Sequence, residues 1–269
     1  IRAEVAPKLA AHNDAILLND ALFQRVKSLY DRKTELKLDA ESERLLWRYY
    51  TDFVRAGANV SGSGKETLKK LNGEIATLQT QFTQNVLDET NASGVYVEDR
   101  KLLDGLSENA IAAAESAAKA AGKDKGYLIA LVNTSGQPAN ASLKDRDLRA
   151  KLQKAAEQRC AVGGPYDNRE IVLRLAKLRA ERAQLLGYAD FASYVLEDET
   201  AKTTTAVNKM MAELAPAAVA NAKKEAAEIQ KQIDAAKGGF QVAASDWSFY
   251  SEKVRAEKFA FDEAQLRPY

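Results

Sequence analysis

Apolar residues recur along most of this chain at spacings of three and four, the period of an amphipathic helix. Val5, Leu9, Ile16, Leu22, Val26 and Leu29 mark one such face over residues 5–30, and Asn19-Asp20 predicts a break that divides it in two. Leu45, Leu46, Tyr49, Tyr50 and Phe53 mark an aromatic-rich face over 41–55, closed by Gly57, a residue suited to a left-handed helix end. Leu68, Leu71, Ile75, Leu78 and Phe82 predict a long helix over 65–88 that packs along its length. Further helices are expected over 107–121, 142–159, 167–186, 188–196, 203–236 and 246–259, with Pro216 kinking or splitting the longest of these.

Two runs break the pattern. Val95-Tyr96-Val97 and the apolar stretch from Tyr127 to Val132 are β-like, each bounded by turn residues, and are expected to pair as a small ribbon. Residues 133–140, with Gly136 and Pro138, read as a polar turn. No tandem repeat of 20 to 50 residues is present, so a solenoid is not expected. The expected fold is therefore mainly α: a multi-helix lobe with one short β ribbon. Gly163-Gly164 and Gly238-Gly239 are the expected hinge or boundary positions.

Composition narrows the chemistry. The 39 Lys and Arg against 38 Asp and Glu leave a net charge of +1, which argues against a polyanion such as nucleic acid as the partner. Cys160 is the only cysteine and His12 the only histidine. No internal disulfide, thiolate cluster or two-histidine zinc motif can be built from this sequence. No run of 18 apolar residues suggests a membrane span. The chain opens on Ile1 without an initiator Met, which suggests a processed or excised piece.

Several short motifs invite a functional reading. Gly62-Ser63-Gly64-Lys65 resembles part of a phosphate loop, but Asn59 and Glu66 stand where glycine and a hydroxyl residue belong. Ser63 and Glu66 are expected instead to form a capping box. Asp167-Asn168-Arg169-Glu170 repeats that logic ahead of a helix stopped by Gly187. Glu197-Asp198-Glu199 offers oxygen ligands to a hard cation, although a solvated helix end is the preferred reading. His12 has no acid or nucleophile placed beside it by motif, and Cys160 is expected to be a packed thiol. Trp247, Tyr250 and Val254 keep helical spacing and are expected to pack on one face.

Two longer stretches carry a resemblance. DNREIVLRLAKLRAERAQLLGYADFASYVL over 167–196 and DWSFYSEKVRAEKFAFDEAQLRPY over 246–269 resemble the thimet-oligopeptidase-like family of zinc metallopeptidases, in particular its bacterial peptidyl-dipeptidases. Weaker similarity extends through AGANVSG and LVNTSGQPA. The resemblance implies that residues 1–269 form the helical amino-terminal lobe of a larger two-lobed enzyme and part of its substrate channel wall. In that family the zinc motif H-E-x-x-H, the third zinc ligand and the groups that stabilise the tetrahedral intermediate all follow the R-P-Y segment. No catalytic, metal-binding or cofactor-binding residue is therefore expected in this chain, and zinc would be bound outside it. The implied parent releases dipeptides from the carboxyl end of oligopeptides. An oligoendopeptidase parent and a free-standing helical binding or scaffolding protein are the alternatives. The expected partners are oligopeptide substrates of the parent and its catalytic portion, without nucleic acid or membrane. The cytoplasm is the expected compartment, with the periplasm as the alternative. If the chain is one lobe, apolar surface around Trp247, Tyr250, Phe259 and Phe261 should lie bare and drive weak self-association.

Overall fold

The computed structural model describes residues 1–134 and 136–259. Among these, eleven α-helices, two short 3-10 helices and one two-stranded sheet make up the regular structure, the mainly α fold that the hydrophobic periodicity predicts. The chain divides into two compact units. Residues 1–84 and 168–209 form the first, and 85–167 with 210–269 form the second.

In the first unit, α1 (Arg2–Leu17) and α2 (Asp20–Asp31) are separated where Asn19-Asp20 predicts a break. Asn19 leaves the helical conformation and its side-chain oxygen accepts from the Leu22 N–H at 2.9 Å, satisfying a donor that the helix start would otherwise leave open. After the single turn α3 (Lys33–Leu36), α4 (Ala40–Ala56) is capped in the same way by Asp39. It ends at Gly57 with φ 108°, where a Cβ would lie 2.5 Å from a Leu68 methyl group. Phe23, Phe53 and Ala58 make the core between α2 and α4, with Tyr50 stacked flat on Tyr30 at 3.9 Å. A second core joins α5 (Gly62–Ala92) to α8 (Arg169–Leu185), through Leu71 and Ile75 on one helix and Ile171, Leu175 and Leu178 on the other.

The second unit is built around the ribbon. β1 (Val95–Val97) pairs antiparallel with β2 (Tyr127–Ile129) in the register Val95 to Ile129, so the expected ribbon forms with a shorter second strand. Val97 and Ile129 pack with Ile111 of α6 (Glu108–Ala120) and with Leu148 and Leu152 of α7 (Arg146–Glu157). The same unit holds a smaller core in which Ile229 and Ile233, on α10 (Thr204–Ala235), meet Tyr250 of α11 (Ala244–Phe259).

Several expectations need correction. The expected capping box at Ser63 and Glu66 does not form. The α5 helix starts at Gly62, the Lys65 N–H donates to the Ser61 carbonyl at 2.8 Å, and Glu66 accepts from Lys69 instead. Lys65 itself is 6% exposed, donating to the Leu18 carbonyl and pairing with Asp20, so the lysine of the loop-like motif ties α5 to the α1–α2 junction. The α7 helix begins at Arg146 rather than 142, because Pro138–Ala141 forms a tight 3-10 turn and Asp145 supplies the cap. Similarly α9 (Phe191–Leu196) waits for its cap at Asp190, after the left-handed Gly187 has stopped α8. Of the two outcomes expected at Pro216, the split does not occur: α10 is continuous from Thr204 to Ala235, and the proline removes the hydrogen bond that the Ala212 carbonyl would have received. Of the two glycine pairs, Gly163-Gly164 lies just ahead of a unit boundary, whereas Gly238-Gly239 is a turn within the second unit.

Leu152 is fully buried in the ribbon core. Truncating it to alanine should destabilise the second unit by about 2–5 kcal/mol, the range for a leucine cavity that cannot fully collapse. A urea unfolding midpoint unchanged from that of the parent sequence would contradict this core assignment.

Candidate functional site

The most deeply buried charge cluster lies in the second unit, on the helix that carries the D-W-x-F-Y-x-E sequence. Asp246 is completely buried at the start of α11. Two arginines one turn apart on α7 converge on it. Arg146 donates from Nε at 3.0 Å and from Nη2 at 3.0 Å, and Arg149 donates from Nη2 at 2.9 Å. The Ala243 N–H adds a fourth donor at 3.1 Å. Burial by itself would raise the Asp246 carboxyl, but the Arg146 and Arg149 hydrogen bonds outweigh it and hold the group below its ordinary value of 3.8. Arg149, 1% exposed, spends its remaining donors on the carbonyls of Leu143, Lys144 and Ser245. The guanidinium of Arg146 lies 3.8 Å from the Phe240 ring centroid and that of Arg149 lies 4.3 Å from Phe249. Both guanidiniums share the one carboxylate, so the cluster pins α7 to α11 with one positive charge in excess.

A second polar cluster, in the first unit, joins α4 to the end of α9. Arg48 bridges Asp52 and Asp198, and Arg55 pairs with Glu197 and donates to the Tyr194 carbonyl at 2.8 Å. Tyr188 donates its hydroxyl proton to Glu197. Partial burial and that hydrogen bond push the Tyr188 phenol up to about 12. The Arg48 hydrogen bond holds Asp198 below the usual carboxylate range. The acidic run at 197–199 is thus neither a cation site nor a merely solvated helix end: two of its carboxylates are ion-paired across the first unit.

The remaining candidates resolve simply. His12 is exposed on α1. Cys160 is buried, and burial pushes its thiol up, with Glu89 adding to the shift, which suits a packed thiol and not a nucleophile. Trp247 and Tyr250 pack with Phe240 and Phe249 against Ile229 and Ile233, as their spacing predicts. Tyr250 is buried but Phe259 is 72% exposed, and the expectation for Phe261 lies outside the described residues. Among the described residues no three His, Cys, Asp or Glu side chains come together, so the residues present do not fit a zinc ion. Sequence reasoning missed the Arg146–Arg149–Asp246 cluster. Its one local signal was a pair of arginines at i and i+3, which share a helix face.

With this geometry in view, comparison with known sequences defines the class. The profile of peptidase family M3 matches residues 139–269, the stretch that includes α7, α11 and the buried cluster between them. Residues 139–269 are thus similar to peptidase family M3. More particularly, the chain is 43% identical over 266 residues to the dipeptidyl carboxypeptidase of Escherichia coli K12, covering 99% of this chain and 39% of that protein. It is equally similar to the dipeptidyl carboxypeptidase of Salmonella typhimurium LT2, over 97% of this chain and 38% of that protein. Oligopeptidase A of Haemophilus influenzae is 29% identical over 254 residues. The chain therefore spans about two fifths of the length of these curated relatives, and the similarity runs through both of its units.

Two outcomes follow from the electrostatics. Asp246→Asn leaves the buried Arg149 charge without its counter-ion and should cost about 3–5 kcal/mol at pH 7. Because folding lowers the Asp246 pKa, its contribution is present above the unfolded value and is lost as the pH falls through the folded one. The gap between the two proteins in denaturant melts should therefore be full at neutral pH and narrow below 3.8. A gap that widens in acid would contradict the assignment. Tyr188 is an acid whose folded pKa is raised, so its contribution is present below the unfolded value near 10 and fades as the pH rises through about 12. Tyrosinate absorbance should show one late-titrating group that disappears in Tyr188→Phe.

Proposed function

We propose that this chain is a non-catalytic helical lobe of a zinc peptidyl-dipeptidase, forming part of the wall of the channel that admits oligopeptides. In this reading, the parent enzyme releases dipeptides from the carboxyl end of oligopeptides. The observation that carries the reading is the 43% identity to dipeptidyl carboxypeptidase across 99% of the chain. The lower identity to the oligopeptidases A, 26 to 29%, favours a peptidyl-dipeptidase parent over an oligoendopeptidase parent. The buried, mutually hydrogen-bonded cluster of Arg146, Arg149 and Asp246 supports a scaffolding role, because side chains locked in this way hold helices in place. The zinc and the groups that act with it belong, in this reading, to sequence beyond this chain. The cytoplasm is the proposed compartment, and among the described residues no helix is long and apolar enough to cross a membrane.

The purified chain, supplied with zinc and an unstructured peptide, should release no dipeptide when products are followed by mass spectrometry. Hydrolysis that survives repurification and is abolished by a chelator would mean that a metal site exists here after all. The encoding reading frame supplies an independent check: continuation into H-E-x-x-H supports the reading, and a stop codon directly after Tyr269 defeats it.

A further inference from the structure

The amino-terminal half of α10 has the composition of a buried helix and the exposure of a free one. From Met210 to Ala222 the sequence is MMAELAPAAVANA, thirteen residues whose only charge is Glu213. Helices that are apolar all round belong in a protein interior or a membrane. Yet each residue from 208 to 225 is exposed, with Met210, Met211, Leu214 and Val219 all more than half bare. Continuing toward the carboxyl end, the same helix reaches Ile229 and Ile233, which α11 covers. Met211, Leu214 and Ala218 sit on the helical face that leads into those two isoleucines, so one apolar stripe is covered at one end and bare at the other.

We infer that the Met210–Ala222 face of α10 is a docking surface for helices from the remaining portion of an M3 peptidase, the part of the relatives' length to which this chain has no counterpart. The proposal rests on the functional reading above and adds the surface through which the two portions join. Three observations select this occupant. The chain spans only 39% of the E. coli relative, so most of such an enzyme lies outside it. Thirteen helical residues reach about 20 Å at 1.5 Å per residue, short of the roughly 30 Å hydrocarbon core of a bilayer. The stripe alternates adaptable methionine and leucine with alanines at 215, 218 and 222, small residues that let a second helix approach closely.

The test is a chimera in which these 269 residues replace the aligned region of E. coli dipeptidyl carboxypeptidase, compared with the chain alone by hydrogen exchange and by dipeptide release. Amides of 210–222 should exchange at least about tenfold more slowly in the chimera, because packing raises the free energy of local opening. Leu214→Glu and Met211→Glu should each abolish that slowing while the helix content by circular dichroism is kept. Leu214→Ala, a milder change, should reduce it. An active chimera in which 210–222 exchange as fast as in the isolated chain overturns the docking surface and leaves the functional reading standing. Slowed exchange in an inactive but folded chimera supports the surface and counts against the peptidyl-dipeptidase reading. A chimera that yields no folded protein counts against both. If the isolated chain shows the slowing by itself as its concentration rises, or on addition of lipid vesicles, the occupant is a second copy or a bilayer and the proposal falls.

Discussion

The second unit hangs on one buried carboxylate. Asp246 is removed from water at the start of α11, and a carboxylate in that position is tolerable only when its charge is answered in place. Arg146 and Arg149 answer it from a single face of α7, and the carbonyls of Leu143, Lys144 and Ser245 then take up the rest of the Arg149 donors. Moving either helix by a fraction of a turn would strand a charge. The cluster therefore fixes α11 on α7 more sharply than its apolar neighbours, which could repack at modest cost.

That fixation has consequences for what surrounds it. The aromatic residues of the D-W-x-F-Y segment follow Asp246 on the same helix, so placing Asp246 also places Phe249 over Arg149 and Tyr250 against Ile229 and Ile233. The smaller core of the unit is thus assembled by the ion cluster. In the first unit a different device serves: carboxylates of 197–198, just past α9, are held by arginines of α4, on a surface that water still reaches. Exposed pairs of this kind contribute little individually, and the first unit relies more on its stacked aromatics and on the α5–α8 seam. In both arrangements arginines of one helix hold carboxylates of a distant segment, so each cluster fixes one element against another.

Long-range ion pairing was not legible in the sequence. Arg146 and Arg149 lie about a hundred residues from Asp246, and their one local signal, the i, i+3 spacing, names no partner. The role of Lys65 was hidden in the same way: Asn59 and Glu66 spoke against a phosphate loop, but nothing local showed that the fold turns the lysine inward to Asp20 and the Leu18 carbonyl. Ser63 and Glu66 had the spacing of a capping box, but the helix begins ahead of them and the motif never reaches the position it needs.

What the sequence determined by itself was most of what neighbours a few residues apart govern. The 3.6-residue period placed the helices, Asn19, Asp39 and Ser107 started three of them, Gly57 and Gly187 stopped two, and two β-like runs made the ribbon. Scarcity of histidine and cysteine also limited the chemistry before any fold was known. Tertiary structure alone decided which charges met, that α10 would run unbroken through Pro216, and that its apolar half would stand bare while Ile229 and Ile233 were covered. The reason is one of range: propensity and capping are energies of contiguous backbone, whereas burial and ion pairing are set by whatever distant segment the fold brings alongside.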